Sequence, residues 1–347
     1  MAESSHGEAF TPERSQGRRR VLLVVAAGIV LAIGAGTAIG KAASYASLLH
    51  ELRGADTAWL AVCFGGEVLA YLGYVVAYRE SAAVDGGPRL SVGGTLRIVA
   101  AGFGAMVLAT GAGTLAVDYW ALRRVGAAPR DALARVIALN TLEWGVLGAA
   151  AAGAAAALAL GAEGGAPWAV LAPWLVVVPL CVAAAFWVTA AGRYERLAAE
   201  SGGRVRRLFG AAVHGVRLVR LLVSGRAATP GLGIAGAAVY WAGDLVCLWG
   251  GLRAFGVQLG VASLVLAYAT GYLVAALPLP AGGAGGVDAA MTYALTLVGV
   301  PLAPALLGAF AYRLFNFWLP ILPALAVLPL VRDLGRRPSE RPAASAR

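Results

Sequence analysis

Six apolar stretches divide this chain, at roughly 21–40, 57–78, 136–161, 167–191, 233–251 and 303–330. Each meets or exceeds the roughly 20 residues that an α-helix needs to cross a hydrocarbon core ~30 Å thick. A chain so divided cannot bury all its apolar surface in water, and it reads as an all-α, polytopic membrane protein. Composition agrees: 60% of the 347 residues are hydrophobic and 13% charged, where soluble domains carry about 25% charged residues. The mean hydropathy is +0.75.

Two further apolar segments are interrupted. Segment 98–117 carries Thr110-Gly111-Ala112-Gly113-Thr114, and segment 262–298 carries Leu277-Pro278-Leu279-Pro280-Ala281-Gly282-Gly283-Ala284-Gly285-Gly286. Glycine and proline at that density oppose a straight helix. Arginine placement says what these segments do. Of the 28 basic residues all but Lys41 are Arg, and most stand in clusters between the apolar runs. If every run were a full crossing, Arg123, Arg124, Arg130 and Arg135 would face away from the N-terminal cluster Arg18-Arg19-Arg20, against the positive-inside rule. If both glycine-rich segments enter and leave on one face, 79–97, 118–135, 192–232 and both tails share the cytoplasmic side. Only Lys41, Arg53 and Arg253 then stay outside. Non-helical backbone at membrane depth is tolerated where protein or a water-filled cavity satisfies it, so re-entry also predicts a cavity.

The two interrupted segments resemble each other. Thr110-Gly-Ala-Gly-Thr-Leu-Ala-Val-Asp118 parallels Gly282-Gly-Ala-Gly-Gly-Val-Asp288. Counting from Gly126 and from Gly299, Asn140 and Glu143 match Arg313 and Asn316, and Gly66-Glu67 matches Gly243-Asp244. With the first break entering from the cytoplasm and the second from outside, repeat A (57–161) and repeat B (233–330) are inverted repeats, the plan of many transporters. The expected organisation is a cytoplasmic disordered tail over 1–20, one transmembrane domain over 21–331 with a basic loop at 192–232, and a second disordered tail over 332–347. The run at 21–40 is expected to be a retained helix rather than a cleaved signal.

The run Leu277-Pro-Leu-Pro-Ala-Gly-Gly-Ala-Gly-Gly-Val-Asp288, followed by Leu297-Val-Gly-Val-Pro301 and Arg313 in the last apolar helix, resembles the lysylphosphatidylglycerol synthase transmembrane-region family. The likeness extends over most of 20–330. It implies a flippase-like protein that moves a phospholipid, an aminoacylated lipid or a lipid-linked sugar between leaflets of a bacterial plasma membrane. Two departures stand out: the family's usual Glu after the glycines is Asp288, and an Arg expected in the first half stands as Asn140. With no room for a soluble aminoacyl-transfer domain, transport is expected rather than complete lysyl-lipid synthesis.

Ionisable groups within spans cost about 2.5–3.5 kcal/mol each at a helix centre, so each demands a partner or a cavity. Glu67, Glu143, Asp244, Asp288 and Arg313 are such groups. Arg313 has the geometry to hold a phosphate bidentately, or it pairs with Asp288 or Asp244 to lock the bundle. Asp288 reads as the N-cap of a half-helix or as a proton-coupling carboxylate. Gly282, Gly283, Gly285 and Gly286 let backbone N–H groups approach an anion, or let helices pack closely. Glu67 and Asp244 are expected to line one cavity, with Asn140 and Glu143 mirroring Arg313 and Asn316. Tyr71, Tyr74 and Tyr78 read as a packing or interfacial stripe, Trp120, Trp168, Trp174 and Trp318 as belt residues, and 193–226 as a solvated loop or an amphipathic helix on the inner leaflet.

The excess of arginine is topological and calls for no nucleic acid. Cys63, Cys181 and Cys247 lie in apolar runs without paired spacing, and His6, His50 and His214 are far apart, so neither disulfides nor a metal are implied. No cofactor motif occurs: Lys41 lacks the residues of a phosphate loop, and there is no Gly-x-Ser-x-Gly elbow. The partners expected are membrane lipids with anionic or lipid-linked head groups, together with a second copy of the chain or a separate lipid-modifying enzyme. The alternatives to a translocator are a membrane-embedded lipid-phosphate transferase and a structural or regulatory membrane subunit.

Overall fold

The computed structural model describes residues 23, 30, 34, 45–105, 112–190, 192–197, 203–225, 229–277 and 283–324. These form α1 (Tyr45–Arg53), α2 (Trp59–Ala83), α3 (Val92–Ala105), α4 (Ala112–Arg124), α5 (Pro129–Ala159), α6 (Trp168–Val188), the single turn-and-a-half α7 (Arg193–Leu197), α8 (Arg204–Val223), α9 (Leu232–Ala254), α10 (Val261–Tyr272), α11 (Gly286–Leu297) and α12 (Leu302–Arg313). A π-helical stretch, Leu314–Trp318, extends α12, with Leu319 N–H donating to the Leu314 carbonyl at 2.9 Å. No strand occurs among the described residues.

Five helices are long and apolar enough to cross a membrane: Trp59–Gly86, Pro129–Ala159, Trp168–Val188, Leu232–Ala254 and Leu302–Ala324. They coincide with five of the six expected spans. The sixth, at 21–40, lies outside the described residues apart from Leu23, Val30 and Gly34, which are helical. Both expected tails also lie outside them.

Helices α2 and α9 pack antiparallel along the centre, and glycine makes their approach possible. A Cβ on Gly66 would stand 2.6 Å from the Gly243 carbonyl, and one on Gly73 only 2.3 Å from the Tyr240 nitrogen. Gly236 and Gly243 are as tightly placed, against the Ala77 and Ala70 nitrogens, and Gly250 is close to Cys63. Backbone lies on backbone along this seam, where any side chain would force the helices apart.

The interrupted segments become helical hairpins, α3 on α4 and α10 on α11. At 1.5 Å per residue, 12 to 14 residues reach about 18–21 Å, short of a full crossing. Polar contacts fix where each hairpin starts and finishes. Arg135, near the start of α5, donates through Nη1 to the carbonyls of Ala82 and Val84 at 2.7 Å each, so the chain leaves α2 and re-enters α5 at one end of the bundle. Thr229 donates to Glu80 at 3.1 Å, bringing the α8–α9 connection to that same end. At the opposite end, Asp56 N–H donates to the Ala254 carbonyl, and 255–259 line a shallow cleft together with 298–301. The second hairpin therefore starts and finishes at this other end. Glu163, in the α5–α6 loop, meets it there, accepting from the N–H groups of Ala262 and Ser263 and from the Ser263 hydroxyl, and so caps α10.

Each hairpin packs on the long helix before it or after it, and also on the closing helix of the other half: α10 lies against α5, and Gly104 of α3 meets Ala324 beyond α12. The long helices that follow the hairpins start alike, after a glycine with positive φ and a proline: Gly126 (φ 95°) and Pro129, Gly299 (φ 93°) and Pro301. Helix α6 is peripheral and carries Pro173 and Pro179 without a break, with Val176, Leu180, Phe186 and Trp187 exposed. The basic segment forms α8, an amphipathic helix packed on α5 through one face while Val205, Leu208 and Phe209 remain exposed. The solvated-loop reading of 193–226 is thereby replaced.

Candidate functional site

Arg313 and Asp288 form a buried ion pair, Nε to Oδ1 at 2.9 Å, with side chains 3% and 4% exposed. The local sequence explains how they meet. Gly283 (φ 69°) and Gly285 (φ 81°) take the left-handed conformation that side chains disfavour, turning the chain sharply into α11. Three residues after the turn, the second carboxylate oxygen of Asp288 accepts the Gly285 N–H at 2.7 Å. Asp288 is thus the third residue of the helix rather than its N-cap, which is Gly285, and it reaches back across the turn as capping-box acids do. This frees its other oxygen for Arg313. Phe317, one turn beyond, lies under the guanidinium at 4.3 Å and also packs on Ala284 of the turn. Gly286 opens α11, and Gly282 lies outside the described residues.

Asp244, at the middle of α9, forms the second cluster. Its Oδ2 accepts from the Tyr268 hydroxyl at 2.6 Å and from Tyr312 at 3.3 Å, and its Oδ1 accepts from Asn316 Nδ2 at 2.9 Å. Arg313 acts on Asp244 electrostatically, so the two clusters are electrically joined. Asn316 belongs to the π-helical stretch. One extra residue per turn there sets its amide toward α9 while Arg313, three residues earlier, faces α11. Glu67, one helix away on α2, neighbours Asp244 and Asn316. Glu67, Asp244, Arg313, Asn316 and Asp288 thus lie in one contiguous buried region.

The first half is built differently. Asp118, absent from the sequence-derived site residues although its motif was recognised, is fully buried on α4 and accepts the Tyr74 hydroxyl through Oδ2 at 2.7 Å. The Tyr78 hydroxyl donates to the Asp118 carbonyl at 3.0 Å. Tyr74 and Tyr78 are thus buried ligands of an aspartate, not interfacial residues. Glu143 lies near Asp118, while its carbonyl accepts the Trp241 indole N–H at 2.7 Å. Asn140 is half-buried one turn before Glu143 and supplies no cation where Arg313 stands in the second half. Between the two halves lies an aromatic group from α9, α10 and α12: Tyr240, Trp241, Tyr268, Tyr272 and Tyr312, with Trp144 from α5 at its edge. Sequence reasoning missed it entirely. Trp174 was expected in an interfacial belt but is buried, donating to Thr270 at 3.0 Å, whereas Trp168 is exposed.

The family model described as lysylphosphatidylglycerol synthase TM region matches residues 22–324. The chain belongs to that family. No curated protein matches it. In this lysylphosphatidylglycerol synthase TM-region protein, no group of three or more His, Cys, Asp or Glu that could hold a metal occurs among the described residues. Cys63 and Cys247 are buried free thiols on the α2–α9 seam, and Cys181 is exposed on α6.

Proposed function

We propose that this protein is a lipid translocator, moving a phospholipid, aminoacylated lipid or lipid-linked sugar between leaflets, and that the Asp288–Arg313 pair handles its anionic head group. The observation that carries the reading is a guanidinium buried at a glycine turn and paired to a carboxylate. An arriving phosphate offers Arg313 two oxygens where Asp288 offers one, so the guanidinium keeps a counter-charge through the exchange while Asp288 retains the Gly285 N–H and takes up a proton. The turn adds to this, since its glycines expose backbone N–H groups at the start of α11 where the helix dipole favours an anion.

The fold supports this with its order of long helix, short hairpin, long helix, which occurs twice, with the hairpins starting from opposite ends of the bundle. We read the two halves as inverted repeats and the hairpins as membrane re-entrant segments, an arrangement that places substrate sites at the repeat interface. The arginine-bearing end is the cytoplasmic face of a bacterial plasma membrane, with both termini on that side.

The test is leaflet exchange in proteoliposomes, with a fluorescent anionic phospholipid and an outer-leaflet quencher. Wild type is expected to accelerate exchange, and Arg313→Ala and Asp288→Asn, checked for folding by size exclusion, to fall to the rate of empty liposomes. Wild-type exchange no faster than empty liposomes with anionic phospholipids and lipid-linked sugars would sink the reading. Turnover of a lipid-phosphate donor in its place would favour the transferase, and loss of a co-purifying partner in the variants the subunit.

A further inference from the structure

Acceptors without donors gather on one side of Asp244. Asp244 is saturated, with three donors on its two oxygens. Beside it, Glu67 is 4% exposed and neither of its carboxylate oxygens has a hydrogen-bond partner among the described residues. Asn316 uses its amide nitrogen on Asp244, and its carbonyl oxygen, in a side chain 1% exposed, also lacks a donor. The Tyr71 hydroxyl, which faces Glu67 and Asp244, is unpartnered as well. A buried polar atom without a partner is costly, and here four oxygens from three side chains on α2 and the π-helical stretch share that condition. Every one of the three can accept, and only the tyrosine hydroxyl has a proton to give. A shared proton or a small cation satisfies such a set.

We propose that Glu67, Asn316 and Tyr71 form, beside Asp244, an exchangeable site for a monovalent cation, either a proton or sodium. Oxygen-only coordination is the chemistry of hard cations, and a carboxylate with an amide carbonyl and a hydroxyl suits a weakly held monovalent ion. A carboxylate beside a second carboxylate that already takes three donors favours a positive charge over a further anion. The groups facing Glu67 are Tyr71 from its own helix, Asp244 and Cys247 from α9, and Tyr312 and Asn316 from α12 and its extension. None is basic. Arg313 faces Asp244 from the end of α12 but is joined to Asp288. The location suits exchange because Asn316 sits on a π-helical stretch, a local irregularity that shifts register at small cost. The inference does not rest on what the protein transports.

The experiment is carbodiimide modification of the purified full chain in detergent. A hydrophobic carbodiimide attaches to protonated carboxyls in apolar surroundings, and peptide mass spectrometry locates the adduct. An adduct on Glu67 that fades at least several-fold from acidic to alkaline pH, and that sodium does not affect, identifies a proton site. An adduct suppressed by sodium chloride but not by choline chloride, together with saturable binding of radioactive sodium, identifies a sodium site. Glu67→Gln abolishes either signature, and Glu195→Gln, exposed on α7 and outside the site, keeps it. If Glu67 is unmodified at every pH and sodium does not bind, the site does not exist. An adduct on Glu67 that ignores both pH and sodium overturns exchange, because it marks a proton locked in place by packing.

Discussion

At the scale of single residues, the buried acid of the glycine turn depends on its partners. Asp288 is held by Arg313 and by a backbone N–H, so removing the cation strands a buried charge. Arg313→Ala is expected to lower stability by about 3–5 kcal/mol, measured as thermal or denaturant unfolding in detergent. Replacing both partners with leucine is expected to restore part of that loss while leaving leaflet exchange at background, because no buried charge is left alone and only the Gly285 N–H loses its acceptor. A double variant as unstable as the single one would show that Arg313 holds the fold through other contacts. Glu163 gives a prediction outside the membrane. Partial burial works to raise its pKa, but the N–H groups of Ser263 and Ala262 and the Ser263 hydroxyl outweigh this and hold the carboxyl below the ordinary glutamate value. A lowered folded-state pKa contributes stability that is present above the unfolded value, about 4.3, and lost as pH falls through the folded one. Wild type is therefore expected to unfold at a higher temperature than Glu163→Gln near neutrality, the gap closing as the solution becomes acidic. A gap that stays constant into acid would show that the carboxylate charge plays no part in capping α10.

Among the elements, the α2–α9 seam is the most demanding. Neighbouring glycines make a paired test, since a Cβ on Gly65 meets nothing within 4 Å while one on Gly66 would meet backbone at 2.6 Å. Gly66→Ala is expected to cost about 1–3 kcal/mol or more in detergent unfolding, and Gly65→Ala to be neutral within about half a kcal/mol. Equal effects would place the seam elsewhere. The elements were unevenly legible in the sequence. Long spans announce themselves by apolar length, and the glycine-rich breaks announced interruption. What the breaks did not reveal was which glycine would start α11. Four glycines stand within five positions, and only the turn geometry decides that Gly285 is the cap and Asp288 the third residue. The tyrosines around Asp244 were illegible for a different reason: Tyr240, Tyr268 and Tyr312 lie on three helices, and no spacing rule links residues so far apart. Asp118 was visible as a motif, but its burial and its two tyrosine partners depend on how α4 meets α2.

For the whole molecule, the polar ties sort the connections into two sets. Arg135, Thr229 and Glu80 gather one end, while Asp56, Ala254 and Glu163 gather the other. In a Cys181→Ala background, single cysteines at exposed Ala128 and Gly203 report the first end, and at exposed Ala162 and Gln258 the second. In intact cells a membrane-impermeant maleimide is expected to label Ala162→Cys and Gln258→Cys, and to reach Ala128→Cys and Gly203→Cys only after permeabilisation. The reverse pattern would invert the orientation, and a split within either pair would contradict the path of the chain. At this scale the sequence yields an expectation of sidedness, because arginine distribution depends on which face a loop occupies and not on packing detail.

The glycine seam has a mechanical corollary. Where two backbones touch over several turns, no gap can open between them without tearing the densest contact in the molecule. Helices α2 and α9 then serve as an axle. On the translocator reading proposed above, cargo passes alongside it, and the motion that admits cargo is a swing of the hairpins about a stationary shaft, as in a turnstile.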